Sequence, residues 1–364
     1  EAAFRYRVEQ PVAEVEPPTL IVARGDEILG APDFPGASPS VRTALLPTDR
    51  TAFNEAILGL FQELPSGDVP LAPPATTPLA DPDAMTRLYL RTSNGELFAR
   101  SWGGAGLGPA RGPGDPGPRP LVVIHQSPFS GALQVPLARE LARTRPVLLP
   151  DTPGYGDSTK LGAFDPEIGD FADAILAGLR DIGEFDLFGI LTGSAIAAEM
   201  AVRAPARVRT LVLDTVPLFP EAFRKELYGE MTPEMPEPTS DGALFVWAWG
   251  FSRDHAMWFP AYKQDPEHAR PGPPPTPEHL HLRTVELLKT GRTYRLGPRA
   301  AFAYDYAKRF PRVATRTLLC AHSTGTAYPY MEEAAGLIPG AARREHDGTA
   351  AGQAALVAAF LDEA

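Results

Sequence analysis

From residue 86 onward, short apolar runs rich in branched and aromatic side chains alternate with longer amphipathic stretches. "TRLYLRT" (86–92), "ELFARSW" (96–102), "LVVIH" (121–125), "PVLLPD" (146–151), "FDLFGIL" (185–191), "RTLVLDTV" (209–216) and "RTLLCA" (316–321) read as strands. Their length and β-branched content set them apart from helices. Helical patterns lie near 131–145, 166–182 and 193–204, and further helices close the chain. Apolar strands interleaved with helices predict an α/β fold, with a mostly parallel sheet covered by helices on both faces.

Two proline- and glycine-rich stretches interrupt the pattern. "SGDVPLAPPATTPLADPDA" begins at 66, and residues 66–85 read as a semi-rigid linker, since proline cannot join a sheet ladder. Residues 103–120 separate two strands and read as a surface loop. Between about 218 and 298 the alternation stops and the segment is rich in proline and aromatics, as an aromatic-rich cap over the sheet's carboxyl edge would be.

The opening of the chain repeats its end. At a constant offset of 298 residues, Ala2, Ala3, Phe4 and Tyr6 fall on Ala300, Ala301, Phe302 and Tyr304, and Thr19 and Leu20 on Thr317 and Leu318. The same register sets Asp49, Thr51, Ala52 and Leu58 over Asp347, Thr349, Ala350 and Leu356. Residues 1–65 therefore read as the tail of a preceding module. Such a tail cannot cover its own apolar faces, which predicts a second module or chain packed against it.

Composition narrows the partners. A net charge of −11 with no basic cluster excludes a nucleic-acid footprint. No run of residues approaches the roughly 18 to 20 apolar positions a membrane helix requires. The single cysteine, Cys320, sits in a strand-like run, where a buried inert thiol and a reducing, cytoplasmic compartment are expected. The sequence opens at Glu1, leaving room for an upstream segment. His268, His279, His281 and His322 show no zinc-ligand spacing, so neither metal nor cofactor is expected.

Candidate chemistry gathers at "LFGILTGSAIA" (187–197), where Gly189 and Gly193 flank a strand-to-helix turn and Leu191 stands between them. With "LVVIHQSPFSGALQVPLARELA", "VLLPDTPGYGDS" and the closing "EHDGTAAGQAALVAAFLDEA", this motif resembles the α/β-hydrolase superfamily over 86–364, in particular members with an HQSP loop and a non-serine nucleophile elbow. Residues 1–65 resemble the last part of the same fold. The resemblance implies a nucleophile where Leu191 stands, oxyanion donors in the backbone N–H groups of Gln126 and Thr192, and a general base at His346. The acid that would orient that base is missing from 323–326, but Asp214 occupies the place some relatives use.

Each candidate has a plainer reading. Ser194 and Ser127 could replace the missing nucleophile, yet a serine at a helix start commonly caps it and one before proline commonly shapes a turn. His346 is either a base or an exposed histidine at a helix start. His125 ends a strand and either borders the pocket or hydrogen-bonds the loop. Trp247, Trp249, His255 and Trp258 could line a pocket for a small apolar or aromatic molecule, or form the cap's own core. Three functions remain open: His346 general-base chemistry on a small apolar carbonyl or ester compound, a lyase or cofactor-free oxygenase on the same scaffold, and an inactive hydrolase-like module that binds or supports a partner.

Overall fold

A computed structural model describes residues 13–14, 16, 19–25, 34–63, 84–93, 95–104 and 119–363. Nearly all of the proline-rich linker, positions 105–118 of the surface loop, and Ala2, Ala3, Phe4 and Tyr6 lie outside the described residues. The chain divides into two units, 1–77 and 78–364.

In the first unit, β1 (Thr19–Arg24) and β2 (Val41–Leu46) pair in parallel, Thr19 opposite Val41. Helix α1 (Arg50–Gln62) follows, its start capped by the Asp49 carboxylate, which accepts the Ala52 N–H at 2.9 Å. No residue of α1 is buried, and Leu58 and Phe61 are exposed.

The second unit is built on β3 (Thr86–Thr92), β4 (Gly95–Trp102), β5 (Leu121–Ile124), β6 (Val147–Pro150), β7 (Phe185–Ile190), β8 (Val208–Asp214), β9 (Arg316–His322) and β10 (Ala342–His346). They form one sheet in the order β10-β9-β8-β7-β5-β6-β4-β3. Only the β3–β4 and β4–β6 pairs are antiparallel. Strand β10, "ARREH", has no apolar run to announce it; it is an edge strand with alternately exposed positions, which leaves polar side chains in solvent.

The helices are α2 (Val135–Ala142), α3 (Ile168–Gly178), α4 (Thr192–Arg203), α5 (Glu221–Glu230), α6 (Ala243–Met257), α7 (Pro277–Thr290), α8 (Leu296–Ala303), α9 (Tyr306–Arg309), α10 (Met331–Gly336) and α11 (Ala350–Asp362). Alternation within a strand divides the core into two. Val122 and Ile124 pack with Phe171, Ile175 and Met200 of α3 and α4, whereas Leu121 and Val123 pack with Leu141, Val357 and Phe360 of α2 and α11. No helix among the described residues is long and apolar enough to cross a membrane.

Successive strands run outward in opposite directions on the two sides of β5, toward β6 and toward β7, so the loops after β5 and β7 meet at the carboxyl edge. In open α/β sheets that is where ligands bind.

Candidate functional site

Strand β7 ends at Ile190, and the chain turns through Leu191 directly into α4. Leu191 holds φ 51° and ψ −116°, and only Thr215 shares a positive φ among the described non-glycine residues. Such a conformation costs about 1 to 3 kcal/mol and persists only where its surroundings impose it. The surroundings here are tight. A Cβ on Gly189 would lie 2.3 Å from the Gly193 carbonyl oxygen, and one on Gly193 would lie 2.2 Å from that of Ile124. The two glycines thus allow helix α4 to close onto β7 and β5. The Leu191 N–H donates to the Asp214 carbonyl at 3.0 Å, tying the bend to the end of β8.

A cavity of about 370 Å³ opens over this bend, within the range of small-ligand sites. Gln126, Ser127, Leu191 and Thr192 line it from the sheet's edge. Phe219, Phe251, Phe259 and Phe302 give it apolar walls. Thr192 opens α4, so its N–H has no intrahelical acceptor. Neither it nor the Gln126 N–H donates to any acceptor among the described residues.

A sequence profile described as "alpha/beta hydrolase fold" matches residues 119–254. No curated protein matches in sequence. Solved structures do match: a hydrolase from Pseudomonas aeruginosa PA01 aligns at 20% identity with a TM-score of 0.52, over 76% of this chain and 96% of its own. The enol-lactonase from Burkholderia xenovorans LB400 aligns at 17% identity and TM-score 0.51, over 76% and 97%. An esterase from Exiguobacterium antarcticum aligns at 12% identity and TM-score 0.53, over 76% and 100%. The chain has the α/β-hydrolase fold.

In this hydrolase-fold chain the late histidine stands apart from the cavity. The His346 side chain is 7% exposed and absent from the cavity lining. Its Nε2 lies 3.4 Å from Asp214 Oδ1, and its Nδ1 accepts the Gly348 N–H at 3.1 Å. Asp214 also accepts from the Thr215 hydroxyl at 2.7 Å and from the Gln353 side-chain amide. Cys320 completes a cluster whose Asp214, Cys320 and His346 ligand atoms lie within 4.8 Å of one another. Burial, then the Asp214 charge, pushes the Cys320 thiol well above its ordinary range, so it remains protonated, and the Asp214 oxygens are already occupied. That donor set suits a hydrogen-bonded pair better than a cation.

The serines part company. Ser194 is fully buried and off the cavity, its hydroxyl donating to the Leu191 carbonyl at 2.5 Å. Ser127 does line the cavity, ahead of a cis peptide to Pro128. Its hydroxyl partners the Tyr155 phenol, not a histidine.

Of the expected pocket residues, His255 lines the cavity and the other four do not. His125 is fully buried: its Nε2 accepts the Thr152 N–H at 2.9 Å and its Nδ1 meets the Gln126 carbonyl at 2.9 Å, so the ring pins the loop. Burial lowers its pKa, consistent with a neutral imidazole. Trp247 stacks on Phe251 at 5.2 Å in a cluster with Phe129, Leu287 and Tyr294, Trp249 is 40% exposed, and Trp258 pairs through its backbone with Ala269. Two positions along a helix point different ways, which separates Trp247 from Trp249.

Among the titratable lining residues, Arg270, His279 and Arg283 escaped the sequence reading of the pocket. Asp151, in "DTPGYG", organises the loop after β6. It accepts from Arg100 at 2.7 Å, from the Gly131 N–H at 2.9 Å and from the Asp157 N–H at 3.1 Å. Gly156 is required beside it, because a Cβ there would fall 2.0 Å from Asp151 Oδ2.

Proposed function

We propose that residues 78–364 bind a small carbonyl or ester compound in the cavity above Leu191 and carry out no acyl-enzyme chemistry. One observation carries this reading: an aliphatic side chain occupies the tip of a bend that keeps the strained backbone of a nucleophile elbow. The engagement of both His346 nitrogens supports it, because neither is left to draw a proton from a group in the cavity. The test is to incubate the full chain with a fluorophosphonate probe and with p-nitrophenyl esters. No covalent adduct and no turnover above buffer are expected; a stoichiometric adduct would overturn the reading.

A second reading has its own support in the Asp214–His346 pair and the two N–H donors. In it, His346 acts as general base on water while Gln126 and Thr192 hold the developing oxyanion. General-base help is worth about 10² to 10⁴ and one oxyanion donor about 10² to 10³, so turnover without a covalent step is physically reasonable. A lyase or cofactor-free oxygenase would use the same deprotonation. Ester turnover that disappears in His346→Ala establishes this second reading over the first.

We also propose that residues 1–65 pack on a further hydrolase-like module. The offset repeat and the exposure of Leu58 and Phe61 support this. Hydrogen exchange on the chain alone should show rapid exchange through β1, β2 and α1; strong protection there would overturn it.

A further inference from the structure

The walls of the cavity are apolar but its permanent charges have one sign. Arg270 and Arg283 line it beside His255 and His279, whose imidazoles burial holds below their ordinary pKa, and among the described residues no aspartate or glutamate does. That is unexpected in a chain with 45 acidic against 34 basic residues. Arg283, on α7, is 8% exposed. Its guanidinium lies over the Phe129 ring at 4.1 Å, which covers a face and leaves the N–H edge unused. It forms no ion pair and no hydrogen bond among the described residues, and its Nε is buried without a partner.

The nearest acid along the helix is committed elsewhere. Glu286, one turn on, accepts from the Ser130 hydroxyl and pairs with Lys289 Nζ at 3.3 Å. Arg270 reaches the cavity from the segment before α7; among the described residues its side chain donates only from Nε, to the Trp258 carbonyl at 3.4 Å, and its guanidinium lies over Phe259 at 5.3 Å. Burying a guanidinium without a counter-charge is costly, and a second cation nearby adds repulsion. Burial and Arg270 lower the Arg283 pKa to about 9, which still leaves it charged at neutral pH. A folded chain tolerates such a group where a ligand supplies the missing charge.

We propose that the cavity takes a small organic carboxylate, its apolar body against Phe219, Phe259 and Phe302 and its carboxylate on the Arg283 and Arg270 guanidiniums. An arginine edge matches a carboxylate in a two-pronged geometry, which a point-like cation does not. This deepens the binding reading above and rests on it only in taking the cavity as the ligand site.

Isothermal titration of the full chain with benzoate, 4-phenylbutyrate and octanoate, each beside its primary amide, tests the inference. At least one carboxylate should bind at least tenfold more tightly than its amide. Arg283→Gln should weaken that carboxylate about 10- to 100-fold and leave the amide unchanged. Arg283→Lys should recover only part of the loss, and the exposed Arg270→Gln, which does not disturb the core, should weaken the carboxylate in the same direction. Equal binding of acid and amide, insensitivity to both glutamine variants, or failure of every carboxylate to bind would each overturn it. The probe and ester assays read Leu191 and His346, whereas the acid–amide preference reads Arg283, so either reading can fail alone.

Discussion

Asp214 meets the bend and the late histidine with different atoms: its carbonyl accepts the Leu191 N–H at 3.0 Å, while its carboxylate stands 3.4 Å from His346 Nε2. The end of β8 thus joins the two parts a hydrolase-fold site would need, although the side chain at the tip is inert. The bend itself is strained at Leu191 and tightly packed at Gly189 and Gly193. Substitutions that press on this framework should therefore be felt whatever the chemistry.

Gly193→Ala forces a Cβ to within 2.2 Å of the Ile124 carbonyl oxygen, against backbone that cannot swing aside. We expect a loss of at least about 3 kcal/mol, at the upper end for overpacked sites. Gly250→Ala, on α6, meets no atom within 4 Å and should be neutral or stabilising by about 0.5 to 1 kcal/mol. Urea unfolding of the two variants beside the parent measures both.

His255 provides a pH signature. Burial first and the Arg283 charge second hold its imidazole at about 3, while an unfolded chain titrates it near 6.5. Between those values the unfolded state binds a proton that the folded state does not. Stability from this group is complete above about pH 6.5 and falls as pH drops toward 3, at no more than about 1.4 kcal/mol per pH unit. His255→Gln should flatten the stability profile in that window alone, which urea midpoints at pH 7 and pH 4.5 would reveal.

Removing the buried guanidinium should separate stability from binding. Arg283→Met fills similar volume and eliminates a buried nitrogen without a partner, so folding stability should be unchanged or raised by up to about 2 kcal/mol. With the nearby positive charge gone, the His255 pKa should rise, and proton NMR titration can follow it. A stability loss above about 2 kcal/mol would show that Arg283 is a packing element.

What the sequence disclosed depended on how local each requirement is. Gly189, Leu191 and Gly193 were legible because a strand, a tight bend and a helix follow one another within a dozen residues, and the resemblance to other hydrolase-fold sequences rests on the same run. Trp247 and Trp249 looked alike because composition carries no direction; only the helix assigns one to the core and the other to solvent. Arg270 and Arg283 could not be recognised at all. They lie in separate segments between β8 and β9, and their shared property, the absence of a counter-charge, belongs to the assembled cavity. His346 shows the same division: its alignment with a catalytic base came from the motif, whereas the commitment of both ring nitrogens came from Asp214 and Gly348 in three dimensions.

Leu191→Ser puts a hydroxyl where the fold normally carries one, on a backbone already bent to present it. A hydroxyl alone reacts poorly; it needs a nitrogen to take its proton as it attacks. His346 Nδ1 accepts the Gly348 N–H and Nε2 faces Asp214, so the added serine finds no such base, and Ser194 spends its own proton on the carbonyl of residue 191. Intact-mass measurement after hours with a fluorophosphonate should find Leu191→Ser as unlabelled as the parent. Labelling at serine-hydrolase rates would mean that the imidazole turns toward the bend, restoring the general-base reading. The variant His346→Ala on the Leu191→Ser background would then abolish the adduct.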